Sequence, residues 1–235
     1  MAMLYLYETH CHTLPTSACA RAGLRETLEA YKANGFAGVF LTNHFLDGNI
    51  DPAIRNLPYA QRIYRYFDAC EEGKRIGEEL GLTVFSGIEM SHHGTDFLVY
   101  GIDRDWCLAH EDMDKMQKSQ LLTLLMESGA LVIQAHPFRE SRSIDHIRLF
   151  LRHVHGVEIF NAGRREFENT LAAQYCENYG LIPFAGTDNH VGGKRVSYGG
   201  MATEEPLKTE GEFIALVLSG KAKPFLKNEK GIRML

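Results

Sequence analysis

The sequence predicts an α/β fold, a barrel of parallel βαβ units, and three observations carry that reading. Runs rich in β-branched and aromatic residues alternate about seven times with longer runs of helical spacing. The strand-like runs end in polar clusters, and those clusters hold most of the candidate histidines and carboxylates. The chain of 235 residues contains no Pro/Gly/Ser-rich linker, short repeat or low-complexity segment, so 1–235 is read as a single domain with a substantial core.

Leu4 to Tyr7 is the first strand, and it ends at His10-Cys11-His12. Thr13 to Gly23 is a loop carrying Pro15. Leu24 to Asn34 has helical spacing at Leu24, Leu28 and Tyr31 and stops at Asn34-Gly35, a usual C-terminal signal. Ala37 to Thr42 is β-rich and leads into Asn43-His44; Asp47 to Pro58 is loop. Tyr59 to Leu80 carries Ile63, Tyr66, Phe67, Cys70 and Ile76 at helical intervals and ends at Gly81. Leu82 to Ser86 is a strand running into Gly87-Ile88-Glu89, and Phe97 to Tyr100 is another, following Asp96. Met113 to Ser128 reads as one helix, with Met116, Leu121, Leu122 and Leu125 on one side. Leu131 to Gln134 is a strand that delivers Ala135-His136-Pro137. Ser143 to His153 reads as a helix, Val157 to Phe160 as a strand ending at Asn161, and Glu166 to Tyr179 as a helix stopped by Gly180. Leu181 to Ala185 precedes Gly186-Thr187-Asp188-Asn189-His190, and Gly200 to Thr203 and Glu210 to Leu218 supply the last strand and helix.

The composition, 45% hydrophobic and 23% charged, is that of a globular protein, and a net charge of −5 gives no general attraction for nucleic acid or anionic membrane. A phosphate-bearing ligand must therefore meet local cations. No apolar run approaches the roughly 20 residues of a spanning helix. Met1 to Tyr7 also lacks the basic and apolar regions of a signal peptide, so a cytoplasmic location is expected. Five cysteines without a CxxC pair argue against a disulfide framework. Cys11 should pack, since it alternates with its histidine neighbours; for Cys19, in the following loop, packing, metal and redox roles all stay open. The excess is in histidine, eleven residues, the commonest metal ligand and near-neutral acid or base.

Side chains two apart on an extended backbone share a face, so His10 and His12 can reach one cation. An HxH alone is weak. Its company is stronger: His44, Glu89, Asp96, His136, Asp188 and His190 each lie at or beside the end of another strand-like run. In a parallel barrel such ends share one face, where sites are built. A polynuclear metal site is expected there.

HxH at His10-Cys11-His12, TxH at Thr42-Asn43-His44, GxE at Gly87-Ile88-Glu89, AHP at Ala135-His136-Pro137 and GTDxH at Gly186 to His190 occur in the order found in PHP domains, the polymerase and histidinol phosphatase family. The sequence resembles that family over nearly its whole length. The resemblance implies a distorted (β/α)7 barrel, TIM-barrel-like, with two or three divalent ions (zinc, manganese or iron) and hydrolysis of phosphate esters. It implies that His10, His12, Glu89 and Asp188 hold one ion, that Glu89 bridges to a second completed by His136 and Asp96, and that His44 and His190 serve a third. Asp96 stands where many relatives place histidine, a departure that shifts metal preference; His92 and His93 are the alternatives for that ligand. Thr16-Ser17-Ala18-Cys19 stands where an aspartate or histidine is usual, and Asn43 replaces an aspartate that lies behind the ligands.

Two ions about 3.5–4 Å apart activate a bridging hydroxide near pH 7 and polarise a phosphoryl group. In this reading Glu89 bridges the ions, and His44 or His190, whichever is left free if the third ion is absent, protonates the leaving group. Arg139 is the first choice for a phosphate clamp, seconded by Arg164 or Arg165. Arg195, His110, His146, His153 and His155 read as surface residues and Trp106 as packing. The expected partner is a small phosphorylated metabolite or nucleotide. An exonuclease or oligonucleotide-trimming phosphodiesterase is the alternative, although the acidic balance counts against long nucleic acids. A metal-binding domain with a structural or regulatory role is the non-enzymatic alternative. An amidohydrolase-type barrel would need a bridging lysine at a strand end, and none is in view.

Overall fold

The computed structural model describes residues 4–46, 48–92, 94–142 and 144–235. In chain order the elements are β1 (Tyr5–Glu8), α1 (Leu24–Ala33), β2 (Gly38–Leu41), β3 (His44–Phe45), α2 (Pro52–Arg55), α3 (Tyr59–Leu80), β4 (Thr83–Ser86), β5 (Ile88–His92) and β6 (Thr95–Tyr100). There follow α4 (Arg104–Ala109), a 3-10 turn over Glu111–Lys115, α5 (Lys118–Glu127), β7 (Leu131–Ala135), β8 (Gly156–Asn161), α6 (Glu166–Tyr179) and β9 (Ile182–Gly186). The chain closes with β10 (Tyr198–Thr203), α7 (Glu210–Leu218), β11 (Lys223–Asn228) and β12 (Gly231–Met234).

The strands form two six-stranded sheets, in the orders β12-β11-β10-β1-β2-β4 and β3-β5-β6-β7-β8-β9. They meet along two seams. At the first, β2 passes into β3 and β4 into β5, with Gly87 N–H bonded to the Leu41 carbonyl and Glu89 N–H to that of Asn43, both at 3.0 Å. At the second, the chain beyond β9 lies against the chain beyond β1: His12 N–H reaches the Asn189 carbonyl at 2.9 Å and Asn189 N–H that of His10 at 3.2 Å. Both seams therefore run through residues singled out in the sequence.

Between the sheets lies one apolar cluster, to which Tyr7, Phe40, Phe85, Leu98, Tyr100, Ile133, Phe184 and Met201 point inward from strands of both sheets. Phe213 of α7 plugs it, 4.3 Å from the Phe40 ring centroid and 5.4 Å from that of Tyr100. A second cluster forms where helices cover the outer faces: Leu28 and Tyr31 of α1, and Ile63, Tyr66, Phe67, Cys70 and Ile76 of α3. These are the helical-period residues of the sequence. Gly81 and Gly180 end α3 and α6 in the left-handed conformation.

Several expectations change. The strands are mixed: β6 pairs antiparallel with both β5 and β7, and the pairs β1–β10, β10–β11 and β11–β12 are antiparallel. The helix expected over Met113 to Ser128 is interrupted at Met116, whose backbone is extended (φ −69°, ψ 148°), leaving the 3-10 turn and α5. No helix forms over 144–153; Ser143 lies outside the described residues. There the Gln134 side chain donates to the Arg148 carbonyl (2.8 Å) and accepts from Phe150 N–H (3.2 Å), engaging groups that a helix would pair along its axis. Its apolar residues Ile147, Leu149 and Leu151 are exposed, so no buried stripe draws it into a helix. Of the loop expected over Asp47 to Pro58, Asp47 lies outside the described residues and the rest contains the short α2; the β11–β12 hairpin was not expected.

Where β9 and β10 lie side by side, a Cβ on Gly199 would run into the carbonyl oxygen of Gly186. Gly199→Ala should therefore destabilise the protein by about 1–3 kcal/mol, measured as a lowered denaturant midpoint with unchanged slope. A variant as stable as the wild type would show that these strands can move apart.

Candidate metal centre

Glu89 is the second residue of β5, in register with His44 of β3 and Leu98 of β6, so its carboxylate projects among strand ends. It is 1% exposed. Four imidazoles face it: His10 Nε2 at 3.0 Å, His12 Nε2 at 3.3 Å, His44 Nδ1 at 2.7 Å and His136 Nε2 at 3.3 Å. Asp188 closes one side, 3.6 Å from His10 and 3.5 Å from His12, and Asp96 the other, 3.8 Å from His136. His190 Nδ1 lies 3.3 Å from Asp188. Two of these residues hold unusual backbones, His136 at φ 26° and Asp188 at φ 55°, strain of the kind that collects at functional sites.

The cage is oriented from behind. His10 Nδ1–H donates to Glu158 Oε1 (3.0 Å), while Glu158 Oε2 accepts from His136 N–H (2.9 Å) and from the Asn161 amide (2.8 Å). Residues three apart on a regular strand face opposite sides. A register shift between Glu158 and Phe160 makes Ile159 an extra residue and turns Glu158 and Asn161 to the same side. Gly186 lets this pair meet His10, since a Cβ there would lie 2.5 Å from His10 Cβ and 2.6 Å from Glu158 Oε1. Glu8, buried before the HxH, accepts from the backbone of Thr9 and His10 and from both N–H and O–H of Thr187.

A second chain of bonds sets the His12 tautomer. Thr13 N–H donates to Asn43 Oδ1 (2.7 Å), so Ser17 gives its proton to that same oxygen (2.8 Å). Ser17 Oγ is then an acceptor for His44 N–H (3.0 Å) and for His12 Nδ1–H (3.2 Å). The His12 Nε2 lone pair is left facing the cage. His190 likewise commits Nδ1–H to the Asp188 carbonyl at 3.0 Å.

The electrostatics match a cation site. Burial and the neighbouring His190 and His44 push the His12 imidazole down to about 3, keeping its lone pair free. Burial opposes charge on His10 and His44, yet Glu158, Asp188 and Glu89 lift His10 well above its ordinary value, and Glu89 lifts His44 to about 10. Despite burial, the surrounding imidazoles hold Glu89 and Asp188 well below the carboxylate range. Burial raises the Cys19 thiol, but hydrogen bonds with His190 and His44 outweigh it and bring it down to about 6.

Three buried atoms of the cage's histidines and carboxylates have no hydrogen-bond partner: His12 Nε2, His44 Nδ1 and Glu89 Oε2, the last two 2.7 Å apart without hydrogen-bond alignment. Ligand atoms about 2.1 Å from a shared cation stand about 3–3.5 Å from one another, and the distances above fall in or near that range. The groups His10/His12/Glu89, Glu89/Asp96/His136 and His12/His44/His190 each bring their donor atoms within 4.8 Å of one another. Mixed imidazole and carboxylate donors, buried and pre-oriented, could hold divalent ions.

No protein-family model matches the sequence. An uncharacterized protein of Methanocaldococcus jannaschii is 32% identical over 99 residues, 37% of this chain and 42% of that relative. A two-domain Bacteroides vulgatus protein, described as containing a predicted PHP-like metal-dependent phosphoesterase, superposes with a TM-score of 0.67 at 13% identity. The match takes in 95% of this chain and 65% of that one. The chain has the PHP fold. A lesion-specific endonuclease from Pyrococcus furiosus matches with a TM-score of 0.58 at 10% identity, over 94% of this chain and 58% of its own.

Within this PHP fold the ligand candidates His10, His12, His44, Glu89, Asp96, His136, Asp188 and His190 converge. Arg139 and Arg164 line the same cavity, with Arg139 3.1 Å from Asp96 and Arg164 3.4 Å from Asp188. Arg165 turns away to Glu140 (2.7 Å) and Glu168 (3.2 Å), its side chain 58% exposed. The His92 ring lies 6.4 Å from that of Phe150, and His93 lies outside the described residues. Arg195, read as surface, donates to the Asp188 carbonyl at 2.8 Å. Cys11 packs in the core as expected. Sequence reasoning missed Glu8 and Glu158. Their signal was a carboxylate set in an otherwise apolar strand run.

Glu158→Gln places an amide N–H₂ where acceptors are needed by His10, His136 and Asn161. Zinc affinity should fall about ten- to a hundredfold, measured by chelator competition, with circular dichroism unchanged. Wild-type affinity would remove Glu158 from the support of His10.

His44 carries its proton at neutral pH in chelated protein, and coordination requires its lone pair. Zinc binding at pH 7–8 should therefore release protons, and the His44 share should vanish as pH passes about 10. Calorimetry in buffers of different ionisation enthalpy reads this count; proton uptake would contradict the assignment.

Proposed function

We propose that this chain is a metal-dependent phosphoesterase whose two sheets make a distorted (β/α)7 barrel, with the substrate a small phosphorylated metabolite or nucleotide. The observation that carries the reading is the meeting, in one cavity, of unpartnered buried donor atoms with two arginines. A single metal-binding domain over 1–235 is part of the same proposal. His10, His12, Glu89 and Asp188 would hold one cation, Glu89, Asp96 and His136 a second, and His44 and His190 a third, with zinc, manganese or iron suited to such donors.

Such ions, when bound, supply charge neutralisation and an activated water. The chain's own groups do the rest. Arg139 and Arg164 each pair with a carboxylate of the cage, Asp96 and Asp188. With those carboxylates engaged by cations, both guanidiniums would be free to meet the substrate's phosphoryl oxygens, for which their planar donor array is suited. Arg165, held by its own acids, plays no such part. Only where the third cation is absent would His44 or His190, on the cavity wall, be free to protonate the departing oxygen.

The cavity measures about 320 Å³, the low end of the size that holds a small molecule. A larger cavity of about 780 Å³ lies among α3, α4 and α7, lined by none of the converging donors. No described helix is long and apolar enough to cross a membrane. The likeness to an endonuclease keeps a second reading in play, trimming of oligonucleotides, which the same cage and arginines would serve at a chain end.

The test is a panel of phosphate monoesters, diesters and dinucleotides, offered to chelated protein with zinc or manganese returned. Glu89→Gln and His136→Ala should each lower hydrolysis by more than about a hundredfold, the worth of a single electrostatic contact in such sites, with the fold retained. Undiminished hydrolysis in both variants overturns the proposal. Unfolding in both, from a wild type that hydrolyses nothing, would support a structural role for the metal.

A further inference from the structure

The weakest part of the cage, judged from sequence, is the third cation, because Thr16-Ser17-Ala18-Cys19 offers no aspartate or histidine. The structure shows which of the four is available. Ser17 Oγ is fully engaged with Asn43, His44 and His12, the Ala18 side chain has no ligand atom, and Thr16 does not line the cavity. Cys19 does line it, beside His44 and His190.

That position is built into the backbone. Ala18 N–H bonds to the Asn49 carbonyl (2.8 Å), Ala20 N–H to that of Ser17 (3.1 Å) and Arg21 N–H to that of His190 (2.7 Å). The loop is thus tied on both sides of Cys19 to the segments that carry His44 and His190. The rings of His12 and His190 lie 4.2 Å apart, those of His12 and His44 4.5 Å, and the three offer nitrogens within 4.8 Å of one another. Two of those residues, His12 at Nε2 and His44 at Nδ1, bring a buried atom without a hydrogen-bond partner. The cysteine is therefore accompanied by donors that themselves call for a cation.

We propose that Cys19 is a metal ligand, its sulfur completing with His44 and His190 the site of a third cation beside the other two. The inference rests on the metal-dependent reading above and adds the chemical class of the ion. A thiolate among imidazoles is a soft donor set, which favours zinc, ferrous iron or cobalt over manganese and magnesium. The cage then has two characters, an oxygen-rich part around Glu89, Asp96 and Asp188 and a nitrogen–sulfur part at its rim. Coordination exchanges the thiol proton for the ion, so no oxidant is involved.

Cobalt(II) reports the two parts separately. Chelated wild-type protein loaded with cobalt should show d–d bands together with a near-ultraviolet thiolate-to-cobalt charge-transfer band. Cys19→Ser and Cys19→Ala should lose that band and bind one cobalt fewer, keeping the d–d bands of the remaining ions. Among the five cysteines Cys19 alone is not buried, so alkylation of the native wild-type protein reads it directly. Zinc should slow iodoacetamide modification of Cys19 more than about tenfold, because the bound thiolate has lost its nucleophilic lone pair; manganese should not. Cobalt bound with d–d bands but without charge transfer, or zinc without effect on alkylation, overturns the cysteine ligand and leaves the metal-dependent reading standing. Failure to bind cobalt at all overturns both. The alkylation arm needs no variant, so it decides the matter even where Cys19→Ser does not fold.

Discussion

A carboxylate removed from water and faced by four imidazoles governs this structure. Glu89 is almost wholly buried, and the desolvation of such a group costs several kcal/mol unless positive charge meets it. His10 and His12 beyond β1, His44 beyond β2 and His136 beyond β7 converge on it. Imidazoles so close cannot all be protonated, since each charge opposes the next. Hence His12, in the middle, is held neutral while His10 and His44 are driven toward the charged form. Positive charge is needed at this point, and protons supply it with poor geometry: His44 and Glu89 stand 2.7 Å apart without hydrogen-bond alignment. Divalent ions relieve both problems at once.

The rest of the fold holds those donors in place. Convergence needs strands from two sheets to end at one spot, and the two seams deliver it. The first carries Glu89 and His44 across in register; the second sets the chain around Asp188 and Asn189 against His10 and His12. Finer aim comes from departures from regular structure. The extra residue at Ile159 turns Glu158 and Asn161 to one side, and positive φ at His136 and Asp188 swings those side chains off their strand directions. The aromatic plug of Phe213 against Phe40 and Tyr100 fixes the strands below, so small displacements at the rim are resisted by a dense core.

Much of this was legible in the sequence because ligands at strand ends leave a pattern: polar residues of metal-binding type interrupt apolar runs. Those that bind nothing themselves were harder to see. Glu158 and Glu8 lie inside strand runs, where one carboxylate resembles an edge position, and only the folded geometry reveals His10 between them. Arg164 and Arg165 are adjacent in sequence and equal in chemistry, but one faces Asp188 and the other Glu140. The helix expected over Ser143 to His153 failed for a related reason. Local spacing favoured it, and a single distant side chain, Gln134, holds part of that backbone in another arrangement. Long-range bonds of this kind leave no periodic trace.

Charge explains why an acidic protein can serve an anionic substrate. A net charge of −5 repels phosphates at a distance, yet the cavity concentrates arginines and histidines where the chain is deepest in carboxylates. Arg139 and Arg164 neutralise Asp96 and Asp188, and a cation placed between those acids would displace the guanidiniums and leave the cavity net positive. Attraction for phosphate would then depend on metal loading and not on the surface as a whole. An extended polyanion gains nothing from this outside the cavity, whereas a compact phosphate that fits about 320 Å³ meets all of the positive charge. Under the proposed function the geometry would discriminate by size and by metal content together, with residues from strands that share no sequence neighbourhood.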